Sequence, residues 1–275
     1  MLEIGKYNDL VVGKSVEFGL YLDYEDGEVL LPGRYVPEDV SVGDTINVFI
    51  HTDSEDRLVA TTLKPEGIVG DFVFLKAKDV VPFGTFMEWG LEKDLLVPKS
   101  EQRDKMVPGE KYLTKICFDE MTGRIYGTTK ISVNCDKDIG DLKEGQKVDL
   151  LVHSLTKIGI TAVVNNRYYG MLYLNETYRN LSPGDVCQGY IMRIRDDDKI
   201  DLTLKQPGYG SVKGSSETIV NILKRAEGFI PCHDKSSPEQ IKKIFAMSKK
   251  EFKRAIGNLF KKGIIKISKN GITLK

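Results

Sequence analysis

Pro82-Phe83-Gly84-Thr85-Phe86-Met87 is one of three versions of the same phrase, and that repetition decides the fold. The other two are Glu17-Phe18-Gly19-Leu20-Tyr21-Leu22 and Lys157-Ile158-Gly159-Ile160-Thr161-Ala162. From each central glycine, a second glycine beside an acidic residue follows 24 or 25 residues on, at Gly43-Asp44, Gly109-Glu110 and Gly184-Asp185. A threonine-bearing run closes each copy 18 or 19 residues later, at Ala60-Thr61-Thr62, Gly127-Thr128-Thr129 and Leu202-Thr203-Leu204. Self-similarity at a fixed spacing means a duplicated folding unit, and the roughly 65 to 75 residues between copies is the size of a small domain.

Around these phrases lie short runs rich in β-branched and aromatic residues, bounded by Gly, Pro and Asp turns. Val48-Phe49-Ile50, Val69 through Leu75, Leu95-Leu96-Val97 and Tyr190-Ile191-Met192 are examples. About five strands fit in each copy, which predicts a small closed antiparallel barrel. Residues three apart on a regular strand face opposite sides, so Phe83 and Phe86 share a surface only if the backbone departs from regularity. The glycine between them predicts a bulge or tight bend there. Two rings presented together make a platform for unpaired bases, and the alternative is that one ring, Phe86 first, fills the core.

Composition bounds the rest. Of 275 residues, 41% are apolar and 29% charged, ordinary for a folded chain. No apolar run reaches the roughly 20 residues of a membrane span, and the opening residues lack a signal pattern, so a cytoplasmic protein is expected. The cysteines Cys117, Cys135, Cys187 and Cys232 and the histidines His51, His153 and His233 are scattered, which gives no support for a metal site or a catalytic triad. The Asp196-Asp197-Asp198 run reads as a solvated turn, and the Asn175-Glu176-Thr177 glycosylation triplet has no meaning without secretion. The zero formal charge hides a division. Residues 205–275 carry 16 Lys+Arg against 5 Asp+Glu, net +11, while residues 1–64 carry 5 against 13, net −8. The carboxyl-terminal piece is therefore the expected polyanion anchor.

That piece follows a Gly- and Ser-rich stretch, Gly208 to Ser215, which lacks the Gly-Lys-Ser/Thr order of a phosphate loop and reads as a linker. Beyond it the period changes to 3.6. Ile219, Ile222, Leu223 and Ala226 form a helical stripe ended by Gly228. Ser237-Pro238-Glu239-Gln240 and Ser248-Lys249-Lys250-Glu251 are capping boxes that open two more helices, the last with Phe252, Ala255, Ile256, Leu259 and Phe260 inward. Ile264 to Ile267 and Gly271 to Leu274 read as a hairpin around Ser268-Lys269-Asn270.

With these residues in view, the second copy resembles the S1 RNA-binding domain, a version of the OB-fold. The resemblance rests on Phe83 and Phe86, the Leu96-Val97-Pro98-Lys99-Ser100-Glu101 phrase, Asp119 and Arg124. It implies an RNA surface made of the two aromatics and the hairpin's Asp and Arg, with Pro98 in place of the family's histidine. The first copy carries Phe18, Tyr21, Asp53 and Arg57, with Pro32 at the histidine position. The third has Ile158 and Thr161 for the rings and Tyr173 at the histidine position, near Tyr168, Tyr169, Arg193 and Arg195. Three helices and a hairpin resemble a winged-helix domain, whose third helix would present Lys250, Lys253, Arg254 and Lys261, with Lys269 in the wing.

The whole order resembles the bacterial conserved virulence factor B family of RNA-binding proteins, which implies a role in post-transcriptional regulation. The expected fold is mainly β with an α+β carboxyl-terminal domain. Its parts are a barrel over 1–64, a second over 65–140, a third over 141–206, a linker over 207–215 and a winged helix over 216–275. Single-stranded RNA is the expected partner, stacked on Phe83 and Phe86 with Lys76, Lys78, Lys99 and Arg124 on phosphate. Two alternatives stay open, a duplex-DNA-reading transcriptional regulator and a scaffold docking on a ribosome or RNA-processing protein. No enzymatic activity, cofactor or membrane partner is expected.

Overall fold

The computed structural model of the chain describes residues 2–173, 180–205 and 212–275. The Asn175-Glu176-Thr177 triplet and residues 207–211 of the expected linker lie outside these, and Val212 already begins a helix. The chain divides into two compact units, Met1–Cys135 and Asp136–Lys275.

The first unit holds two copies of the repeat. β1 (Tyr7–Val16), β2 (Gly19–Tyr24), β3 (Gly27–Pro32), β4 (Thr45–Thr52) and β5 (Leu58–Thr61) close into a barrel in the order β1-β2-β3-β5-β4. β6 (Phe72–Val81), β7 (Gly84–Glu88), β8 (Leu95–Pro98), β9 (Lys111–Asp119) and β10 (Arg124–Thr128) form a five-stranded sheet in the order β10-β9-β6-β7-β8. This middle copy departs from the expected closed barrel, because no hydrogen-bonded ladder joins β8 to β10. Its two edge strands instead pack through side chains, and a methyl group added at Gly127 would meet Val97 Cγ2 at 2.8 Å. A short helix α1 (Ile131–Asn134) follows.

In the second unit β11 (Lys147–Leu155), β12 (Gly159–Val164), β13 (Tyr168–Tyr173), β14 (Val186–Ile194) and β15 (Ile200–Thr203) form another closed barrel. Helix α2 (Val212–Arg225), β16 (Phe229–Ile230), α3 (Pro238–Phe245), α4 (Lys249–Lys261), β17 (Ile265–Ile267) and β18 (Ile272–Leu274) complete it, with sheet order β16-β18-β17. Ser237 and Ser248 cap α3 and α4 by accepting from the backbone N–H groups of Gln240 and Glu251. Phe252, Ala255, Ile256 and Leu259 are buried, but Phe260 is 56% exposed. At 3.6 residues per turn, Phe260 falls about 80° from Phe252, at the edge of the stripe. Ala226 is likewise exposed, since α2 ends one residue before it.

The repeated phrases have a common structural cause. The first strand of every copy carries a bulge, at Val12/Lys14, Ala77/Asp79 and Val152/Ser154. The bulged strand is pinned by the glycine–acid pair ahead of the fourth strand. Gly43, Gly109 and Gly184 donate N–H to the carbonyls of Val12, Ala77 and Val152, and the next residue's carbonyl accepts in return. All three glycines have φ between +87 and +97, a left-handed conformation that favours glycine. The closing threonines Thr61, Thr128 and Thr203 are buried, and each hydroxyl accepts from the N–H two residues on.

The copies have their own cores, but the first and middle ones share residues. Leu75, Ala77, Met87, Leu95, Val97 and Ile116 fill the middle copy, and Phe49 from β4 of the first barrel joins them. Its ring meets Trp89 edge-on at 5.9 Å between centroids.

Candidate nucleic-acid interface

Phe83 stands in the two-residue turn between β6 and β7, outside the ladder, so strand alternation does not bind it. Phe86 lies on β7. The rings meet at 6.1 Å and 89°, edge to face, with Phe83 61% exposed and Phe86 half-buried. The glycine between them is not the seat of the bulge, which sits opposite on β6 at Lys78. It serves close approach instead, since a Cβ at Gly84 would lie 2.6 Å from the Val97 carbonyl oxygen. The same contact recurs at Gly19 against Leu31 and at Gly159 against Leu172.

The cations expected around these rings are mostly engaged by carboxylates. Lys76 lies 3.7 Å from Glu88, and Lys78 donates to Asp94 at 2.8 Å, which raises the lysine's pKa. Arg124 donates to Asp56, on the β4–β5 turn of the first barrel. Lys99 is exposed and has no ion-pair partner among the described residues. Asp119 does not hold Arg124. It accepts from the Met121 N–H and the Thr122 hydroxyl, which shapes the β9–β10 turn and lowers its pKa.

A cleft of about 610 Å³ runs beside Phe86, walled by Leu96, Pro98 and Tyr126 of the middle copy and by Thr52 and Asp56 of the first. Tyr126 and Lys93, both half-buried, are site residues that sequence reasoning missed. Tyr126 was findable, because it lies two residues from Arg124 on β10 and so shares its face. Lys93 gave no such signal.

In the first copy Phe18 is 60% exposed and meets Tyr21 edge-on at 6.3 Å, so this barrel repeats the aromatic pair. Its Arg57 is held by Asp53 and Glu55, at 2.7 and 3.0 Å. In the third copy Ile158 occupies the same projecting position, but Thr161 is buried and its hydroxyl bonds Ser154 at 2.8 Å, which leaves no platform. Tyr173 is half-buried and takes a hydrogen bond from Arg195, itself paired with Asp201 at 2.9 Å.

On the winged helix, Lys250, Lys253, Arg254 and Lys261 of α4 and Lys269 of the wing are exposed, without ion-pair partners among the described residues. Glu251, on the same helix, turns away to Lys205 at 3.0 Å and Ser215 at 2.8 Å. Burial works to raise its pKa, but these two donors outweigh it and hold the carboxyl below its ordinary value.

Comparison with known proteins agrees with this architecture. Residues 4–63 match the S1 domain family, and residues 217–274 match the family described as the CvfB-like winged helix domain. Proteins named conserved virulence factor B from Staphylococcus epidermidis and Staphylococcus aureus are 26% identical over 246 residues, covering 86% of this chain and 82% or 81% of theirs. The chain is thus similar to conserved virulence factor B proteins over most of its length. Bacillus subtilis YitL is 26% identical over 98% of this chain and 92% of its own. A Streptococcus pneumoniae crystal structure of a multidomain protein with nucleic acid binding domains aligns over 99% of this chain and 98% of its own, at 22% identity and a TM-score of 0.44. The S1 match falls on the acidic first copy, whereas the fuller aromatic and hairpin phrase is in the second. The S1 and winged-helix domains together support nucleic-acid binding.

Proposed function

We propose that this chain is a non-enzymatic protein that binds single-stranded RNA and acts in gene expression after transcription. The observation that carries the reading is the Phe83–Phe86 pair, one ring projecting from the sheet and the other beside a cleft, in the arrangement on which unpaired bases stack. Lys99 and the free cations of α4 and the wing would meet phosphate, and linked weak sites gain through effective concentration.

Replacing Phe83 and Phe86 together by alanine is expected to weaken binding to a single-stranded RNA oligonucleotide by about tenfold or more, since each stacked base contributes about 1–3 kcal/mol. Affinity of the parent should also fall as salt rises from low to moderate. An unchanged dissociation constant in the double variant, or an affinity flat with salt, would remove the basis of this reading. A second reading, a duplex-DNA reader, is favoured by the unpaired Lys253 and Arg254 on the third helix of the winged domain. Preference for duplex DNA in competition, abolished by Lys253→Ala with Arg254→Ala but not by Phe83→Ala, would support that alternative.

A further inference from the structure

At the edge of the Phe86 cleft, one carboxylate bridges two cations across the first and middle copies. Asp56 Oδ2 accepts from Arg124 Nη2, and Asp56 Oδ1 lies 3.2 Å from Lys93 Nζ. Lys93 is aimed there by the first barrel, donating to the Asp53 carbonyl at 2.6 Å and to Thr52 Oγ1 at 3.2 Å. Asp56 sits at the tip of a tight turn with φ of +60, so the loop presents its side chain outward. An anion with two oxygens, one on a guanidinium and one on an ammonium, beside an aromatic ring, is how a backbone phosphate would be held next to a stacked base.

The pair is not needed as a fastener between the two copies. Their contact is already made by Phe49 against Trp89 and by the Val69 N–H on the Gly5 carbonyl at 2.9 Å. The Asp56 side chain is 43% exposed and that of Arg124 62%, and ion pairs so open to water contribute little to stability. Their main consequence is electrostatic, in that they silence Lys93 and Arg124, which line the cleft beside Phe86.

We propose that Arg124 and Lys93 form a phosphate site for single-stranded RNA, which the Asp56 carboxylate occupies in the free protein and which RNA must take from it. The site rests on the reading of the Phe83–Phe86 surface given above. It also gives the acidic first barrel a role in binding, as the part that supplies the competing anion.

The test measures the affinity of the full chain for a fluorescein-labelled single-stranded RNA 12-mer of mixed sequence over a range of salt. Asp56→Asn keeps the side-chain shape and suits a left-handed backbone, and Asp56→Gly serves as a second variant without any acceptor. Both are expected to bind about three- to tenfold more tightly than the parent, with a log–log salt slope steeper by roughly 0.7, the increment for one added phosphate contact on a single strand. Adding Arg124→Gln to either should abolish the gain. If both Asp56 variants bind as the parent does, or the gain survives Arg124→Gln, while Phe83→Ala with Phe86→Ala still weakens binding, the phosphate site is wrong and the aromatic surface stands. If the aromatic double variant binds like the parent, the surface itself is wrong and the phosphate site goes with it.

Discussion

A hydrogen where other residues carry a methyl group sets the spacing at Gly84. A Cβ there would lie 2.6 Å from the Val97 carbonyl oxygen, 2.8 Å from Leu96 Cδ1 and 3.1 Å from Pro98 Cα, and two of these three neighbours are backbone. Neither can yield without parting β7 from β8, so Gly84→Ala should destabilise the first unit by about 1–3 kcal/mol. Denaturant unfolding checks this, and a midpoint equal to the parent's would mean that the strands separate freely. His51 acts at the same scale through protonation. Burial lowers its pKa from the ordinary 6.5, with its ring stacked on Phe49 and Nδ1 donating to the Thr52 carbonyl at 3.1 Å. The unfolded chain therefore takes up a proton at a higher pH than the folded one. Stability is full above 6.5 and declines as pH falls below it. The depressed carboxylates Asp56 and Asp119 lose their contribution only in more acidic solution, below about pH 4. His51→Gln should flatten the decline as pH falls below 6.5, and an unaltered slope would assign it to other groups.

Elements differ in how plainly their sequence announces them. The two serine caps, the five strands per copy and the terminal hairpin were legible because each follows from a local rule, whether a hydroxyl facing an orphan N–H, a period of two, or a turn between apolar runs. What escaped depends on a neighbour. β16 is two residues long and exists because Phe229 and Ile230 pair with Thr273 and Ile272, more than 40 residues away. The bulge lies on the strand that faces the conspicuous glycine, at Lys78, where nothing in the local residues marks it. The projecting aromatic position shows the same divide. Phe18, Phe83 and Ile158 are all near 60% exposed, so backbone geometry alone thrusts the side chain outward. Whether the copy then offers a stacking ring is decided by its residue identity, which sequence alone does reveal.

Across the first unit, the contacts that shape the candidate site join residues far apart in the chain. Asp56 reaches Lys93 and Arg124 over separations of 37 and 68 residues, which is why the rings were visible in the sequence and their electrostatic setting was not. The same coupling bears on stability. Phe49 belongs to β4 of the first barrel, yet it is fully buried among the core of the middle copy, against Trp89. Trp89 is the chain's one tryptophan, so its fluorescence reports on the middle copy's core, which it fills together with Phe49 of the first barrel. Truncating a buried phenylalanine to alanine costs about 3–5 kcal/mol. If the two copies share one cooperative core, Phe49→Ala will lower the unfolding free energy read at Trp89 by about that amount, and the denaturant midpoint with it, although the substitution lies in the other barrel. A Trp89 transition that stays at the parent's midpoint would show the copies unfolding independently. The first barrel's negative charge would then reach the aromatic surface only through a loop free to leave it, and not from a fixed wall.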